Sequence, residues 1–206
     1  MISGTIYGVV LNDEAEREAL AGAFVDAPYA APPVAPVVYV KPRGTVSRLG
    51  APVPAPAEVR VAATIALLIA RDAVTIDASE VLGHVGAVAL AGDVSLPQKD
   101  YYRPAIAQLG RDGFLPLGEW APVPMEFGEI VTCVDGVERH RWPLDRLYRP
   151  IGELVAALST FMTLRAGDVL LIGLPGDAPL CRVGETIEIA SRGLPTLRTQ
   201  LMKEKA

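Results

Sequence analysis

Cysteine is nearly absent: among 206 residues only Cys133 and Cys181 occur, without CxxC spacing. Two such thiols exclude a disulfide framework and a cysteine-rich metal site, and read as ordinary packed or half-exposed groups. Histidine is as scarce, with His84 and His140 too far apart for an HxxxH zinc pair. His84, at a helix-to-strand joint, reads as structural, and His140, on a hairpin arm, as exposed. Positive charge is in deficit, with a net charge of −5 and no strongly basic arm, which argues against nucleic acid as a partner. No apolar run approaches the roughly 18–20 residues needed to span a bilayer, so no membrane contact is expected. "MISGTIYGVV" has neither a cationic leader nor a small-residue cleavage site, and a cytoplasmic location is the expectation. GxGxxG, GxxxxGK[ST] and GxSxG are missing as well, and "LIGLPGDAP" reads as a turn rather than a phosphate loop.

What is present suits a globular chain, since 50% of the residues are hydrophobic and 21% charged. "ISGTIYGVVL" reads as a strand and "NDEAEREALAGAF" as a helix capped by Asn12 or Asp13. A proline-dense passage follows, around one short strand, "VVYV". Residues 1–36 are therefore expected as a small strand–helix unit with its link, and residues 37–206 as the main domain. Within the latter, "EVRVAATIALLIAR" and "VGAVALAGD" read as core strands. "DASE" reads as a capping box opening a short helix. "EIVTCVDGVERHRW" reads as a hairpin turning at Asp135-Gly136. "PIGELVAALSTFMTL" places Ile151, Leu154, Val155, Leu158, Phe161 and Met162 on one helical face, with the helix stopping near Gly167. "DVLLIG" and two strands in "GETIEIASRGLPTLRTQLM" complete an α+β chain dominated by strand.

The densest polar stretch runs from Asp93 to Arg111 and includes Ser95, Gln98, Lys99, Asp100, Tyr101, Tyr102, Arg103 and Gln108. It has two readings. One is a pocket rim gripping a small anion through Arg103 and Arg111, with Tyr101 fixing orientation. The other is a solvated loop after a buried strand. Asp93 alone suits a metal ligand, a general base or a turn former, because Mg²⁺ needs several oxygen ligands. Lys41, after a short apolar strand, points either into a cleft or along a solvated edge.

"YVKPRGTV", "VRVAATIALLIAR", "ALAGDVSLPQ", "YYRPAIAQLGRDGFLPLGE" and "LRAGDVLLIGLP", in that order, resemble the fumarylacetoacetate hydrolase family over nearly the whole chain. "DVSLP", "PYAAPP" and "GTIYGVVLN" resemble most the N-terminal-half branch of its isomerase/decarboxylases of 4-hydroxyphenylacetate (homoprotocatechuate) degradation. The resemblance implies a strand-dominated mixed β-sheet roll with a few packed helices. It also implies action on a small anionic 2-oxo acid, and a homo-oligomer or a hetero-complex with a C-terminal-type subunit. Family members hold a divalent cation, Mg²⁺, through a Glu-x-Glu strand and a following Asp. Those positions fall on Ala62, Thr64 and Asp93, so the cation's strongest ligands are replaced and only Asp93 is retained. A substrate-binding lysine of the family falls on Arg111, the second threonine of its Thr-Gly-Thr-Pro turn on Leu174, and its Lys-Pro on Lys41-Pro42, so the resemblance leaves Lys41, Arg103 and Arg111 to grip substrate carboxylates. An alternative implied by the missing carboxylates is a non-catalytic partner of a metal-bearing homologous subunit.

Overall fold

The computed structural model describes residues 2–47, 49–98 and 105–204. The chain opens with β1 (Ile6–Val10), helices α1 (Glu14–Ala19) and α2 (Ala21–Val25), and β2 (Val37–Lys41). Short strands β3 (Val46–Ser47) and β4 (Val53–Ala55) precede the long β5 (Val59–Ile69) and β6 (Val85–Ser95). Then come α3 (Ile106–Leu109), β7 (Leu115–Pro116), the hairpin β8 (Ile130–Val134) and β9 (Val137–Trp142), and α4 (Ile151–Ser159). Strands β10 (Val169–Leu171), β11 (Leu180–Cys181), β12 (Thr186–Ser191) and β13 (Leu197–Lys203) end the chain. The expected strand-dominated mixed architecture is the one observed. Among the described residues no helix is long and apolar enough to cross a membrane.

One six-stranded sheet pairs β6 with β5, and carries β10, β1 and β2 beyond β5, with β11 beside β10 on the same edge. β1 and β10 run parallel and the other pairs antiparallel. The second sheet runs β4-β13-β12-β8-β9, and β3 pairs with β7. The near-absence of polar residues in β5 follows from burial on both faces. Val59, Val61, Ala63, Ile65, Leu67 and Ile69 enter the main core with Leu154, Leu158, Ile187 and Leu201. Of the opposite face, Ala66 packs with Ile6 and Leu171, while Ala62 packs with Phe24 and Leu174.

Residues on both sides of position 36 share one sheet. β1 lies inside the six-stranded sheet, pairing Ile6 with both Val169 and Lys41. Three local expectations change. Asp13 occupies the cap position of α1 without a capping bond, because its carboxylate is taken by Arg146. Asp77 and Glu80 do form half a capping box, the Glu80 side chain accepting the Asp77 N–H at 3.0 Å. The helix behind them is only a 3₁₀ turn, Val81–Gly83. α4 ends at Ser159, well before Gly167, and leaves Phe161 57% exposed. Ser159 and Thr160 there donate to the carbonyls of Ala156 and Ala157, competing with continuation of the helix.

Candidate functional site

Side chains two apart on a strand share a face, so Arg60, Ala62 and Thr64 form one row on β5. The β6 register sets Ser95 opposite Arg60, Asp93 opposite Ala62 and Ala91 opposite Thr64. Over the Arg60–Ala62 end of this ladder lies a cavity of about 340 Å³. Its walls are Ala15, Glu16, Ala19 and Leu20 of α1, the loop Leu174–Asp177, and Ser95, Gln98, Leu109 and Arg146. The loop lies hard against α1: a Cβ on Gly176 would sit 2.8 Å from the Cβ of Glu16. Glu16 itself is buried and its Oε2 accepts the Leu11 N–H at 3.2 Å.

Two arginines reach this wall in different states. The Arg146 guanidinium donates to Asp13 at 2.6 and 2.9 Å and to Asp177 at 3.1 and 3.2 Å. Burial alone would lower its pKa, but Asp177 and Asp13 outweigh that and hold it above the ordinary value. Arg60 instead donates from Nη1 to the carbonyls of Gly176, at 3.0 Å, and Ala178, at 2.7 Å. His140, expected to be exposed, is packed against Asp177, its ring 7% exposed and Nε2 3.0 Å from Oδ1. Its hairpin arm faces the 174–178 loop, which the sequence places far away. His84 is structural as expected, its Nδ1 3.3 Å from the Arg71 carbonyl.

Lys41 and Asp93 come together from opposite edges of the rolled sheet, both fully buried. Lys41 Nζ donates to Asp93 Oδ1 at 2.6 Å and to the Phe114 and Val94 carbonyls at 3.1 and 3.4 Å. Burial pulls the Lys41 pKa below its ordinary value and Asp93 pushes back. The Tyr39 hydroxyl donates to Asp93 Oδ2. Lys41 is therefore no solvated edge residue, because its strand edge is folded against β6. Arg111 pairs with Glu204 at 2.6 Å, over the Phe114 ring, and is not among the cavity walls. Tyr101 and Arg103 lie outside the described residues. Ser95 and Gln98, singled out in the polar stretch, do line the cavity. Arg60 and Glu16 were missed, one hidden in an apolar strand and the other in a charged helix; no spacing motif marks either.

The divalent cation of the family does not fit these residues. Both Asp93 oxygens are engaged by Lys41 and Tyr39, and its cross-strand neighbour is an alanine. The Thr64 hydroxyl is buried without a hydrogen-bond partner, a neutral group at a position where the resemblance puts a carboxylate. Among the described residues no three His, Cys, Asp or Glu side chains cluster around a possible ion.

Residues 5–202 match the model described as fumarylacetoacetate (FAA) hydrolase C-terminal. The 4-hydroxyphenylacetate degradation bifunctional isomerase/decarboxylase of Salmonella dublin is 38% identical, over 98% of this chain and 48% of its own length. The chain thus spans about half the length of the curated relatives of this kind that it matches. Among solved structures, 5-carboxymethyl-2-hydroxymuconate delta-isomerase from Mycobacterium smegmatis superposes with a TM-score of 0.82. It is 27% identical, with coverage of 100% of this chain and 81% of that one. Fumarylpyruvate hydrolase from Pseudomonas aeruginosa, solved with Mn²⁺ and pyruvate, has the same fold at 21% identity and a TM-score of 0.79, covering 98% and 90%. With its strand ladder, its rolled sheet and this match from residue 5 to residue 202, the chain belongs to the fumarylacetoacetate hydrolase family.

Proposed function

We propose that this chain is the N-terminal-type half of a cytoplasmic isomerase/decarboxylase of 4-hydroxyphenylacetate (homoprotocatechuate) catabolism. Its substrates are small 2-oxo di- and tricarboxylic acids or their enols, such as 2-hydroxyhepta-2,4-diene-1,7-dioate and 5-oxopent-3-ene-1,2,5-tricarboxylate. A homologous C-terminal-type subunit completes the enzyme. The observation that carries this reading is the 38% identity along 98% of the chain to about half of such an enzyme. The cavity over the β5–β6 ladder supports it with a concave, mostly apolar site holding a few polar groups.

Isomerising the dienol requires that its hydroxyl lose a proton, the conjugated electrons shift, and the far end of the diene gain a proton. No redox partner or cation is needed for that balance. Glu16 is the carboxylate in the wall suited to carry the proton, since it is buried and fixed by the Leu11 N–H. A second reading, a silent companion of a metal-bearing subunit, is favoured by the Lys41–Asp93–Tyr39 contacts that replace a cation site.

The test is loss of dienol absorbance with the purified chain alone, in Mg²⁺ and again in excess chelator. Equal turnover in both is expected, falling about 10²–10⁴-fold in Glu16→Gln. Turnover only with Mg²⁺ would contradict the filled cation position. A folded chain that is silent until the partner subunit is added would favour the companion reading.

A further inference from the structure

We propose that the cavity is a carboxylate site whose receptor is Arg60. It takes the far carboxylate of a small 2-oxo dicarboxylate. This assignment of the binding end rests on the functional reading above, but concerns binding rather than turnover.

Among the described residues, two guanidinium groups line the cavity. Every nitrogen of Arg146 that donates is directed at Asp13 or Asp177, so its charge is already neutralised. Arg60 has no ion-pair partner among the described residues. Two backbone carbonyls of the 174–178 loop grip its Nη1 and fix the group in place. A fixed guanidinium with unspent donors and uncompensated charge is matched by the paired oxygens of a carboxylate.

Gln98 also lines the cavity. Ser95 stands across the ladder from Arg60. Leu109 and Leu174 form apolar wall for the carbon chain between the ends. The Arg60–Ser95 pair lies about 7 Å along the strands from Ala62–Asp93, so a carboxylate on Arg60 extends the substrate along this row.

The experiment compares two unreactive ligands by titration calorimetry: 2-oxoadipate, and 2-oxohexanoate, in which a methyl group replaces the far carboxylate. The intact chain should bind 2-oxoadipate about 10–100-fold tighter. Arg60→Gln, which keeps amide donors for the loop carbonyls, should bind both ligands alike, and Arg60→Lys should retain part of the preference. Equal affinities in the intact chain, or a full preference in folded Arg60→Gln, would overturn the assignment. Should that variant not fold, the unaltered chain decides: 2-oxoadipate should protect Arg60 from phenylglyoxal and 2-oxohexanoate should not. Equal modification with either ligand counts against Arg60. A chain that shows the preference yet never turns over the dienol refutes the enzymatic reading and leaves the receptor standing. Turnover without an Arg60-dependent preference does the reverse.

Discussion

Asp93 lies where the resemblance puts a cation ligand, yet its charge is met from within the chain. Lys41 takes one oxygen and Tyr39 the other, with both members of the ion pair wholly buried. Removing one partner of such a pair strands a desolvated charge, whereas removing both removes the problem. Lys41→Met should therefore cost about 3–5 kcal/mol in denaturant unfolding, and adding Asp93→Leu should recover much of it. Simple additivity of the two losses would mean that the pair is not coupled. Asp177 offers a pH test of the opposite wall. Burial tends to raise its pKa, but Arg146 and His140 outweigh this and hold it below the ordinary 3.8. A depressed acid stabilises the folded state above its unfolded pKa, and that contribution is lost as pH falls through the folded value. Thermal stability should accordingly drop more steeply below about pH 4 than in Asp177→Asn, which lacks this titration. Parallel curves for the two proteins would remove Asp177 from the acid response.

At the scale of elements, the β8–β9 hairpin is the clearest case of local chemistry deciding structure. Asp135 and Gly136 both take positive φ, 50° and 79°, the pairing that a two-residue turn demands. A Cβ on Gly136 would meet nothing within 4 Å, so only the backbone opposes a substitution there. Gly136→Ala should cost about 1 kcal/mol of stability and leave turnover intact. Gly176→Ala should act differently, since its Cβ would press on Glu16 at 2.8 Å and displace the cavity wall. Its signature is a changed KM or kcat at near-normal stability; an unaltered KM and kcat would detach the loop from the site. The two glycines also mark what the sequence could and could not tell. Asp135-Gly136 is readable because the turn needs only its own two residues, and the long apolar strands are readable because both faces are buried. Ends set by distant partners are not: Asp13 looks like a cap until Arg146, 133 positions away, claims it. Lys41 and Asp93 were singled out through resemblance, and the structure joins them in a buried ion pair. Arg60 was not, because its role depends on carbonyls at positions 176 and 178 and on a cavity that only the fold creates.

For the whole molecule, strands β2 and β6 stand at opposite ends of the six-stranded sheet, yet Lys41 of one reaches Asp93 of the other. The sheet is thus rolled until its edges meet, and a buried ion pair fastens the closure at the position where the resemblance puts a cation ligand. The internal ammonium occupies that position without a cation. The consequence is measurable by linkage, because a ligand that binds only the folded state stabilises it by about 2.7 kcal/mol at one hundred times its Kd. A functioning Mg²⁺ or Mn²⁺ site in this chain would therefore raise the unfolding midpoint by several degrees at millimolar metal. We expect no shift in the intact chain with either ion. A clear metal-dependent rise in Tm that disappears in Asp93→Asn would show that Lys41 yields its place, and would return this half to the metal-binding members of the family.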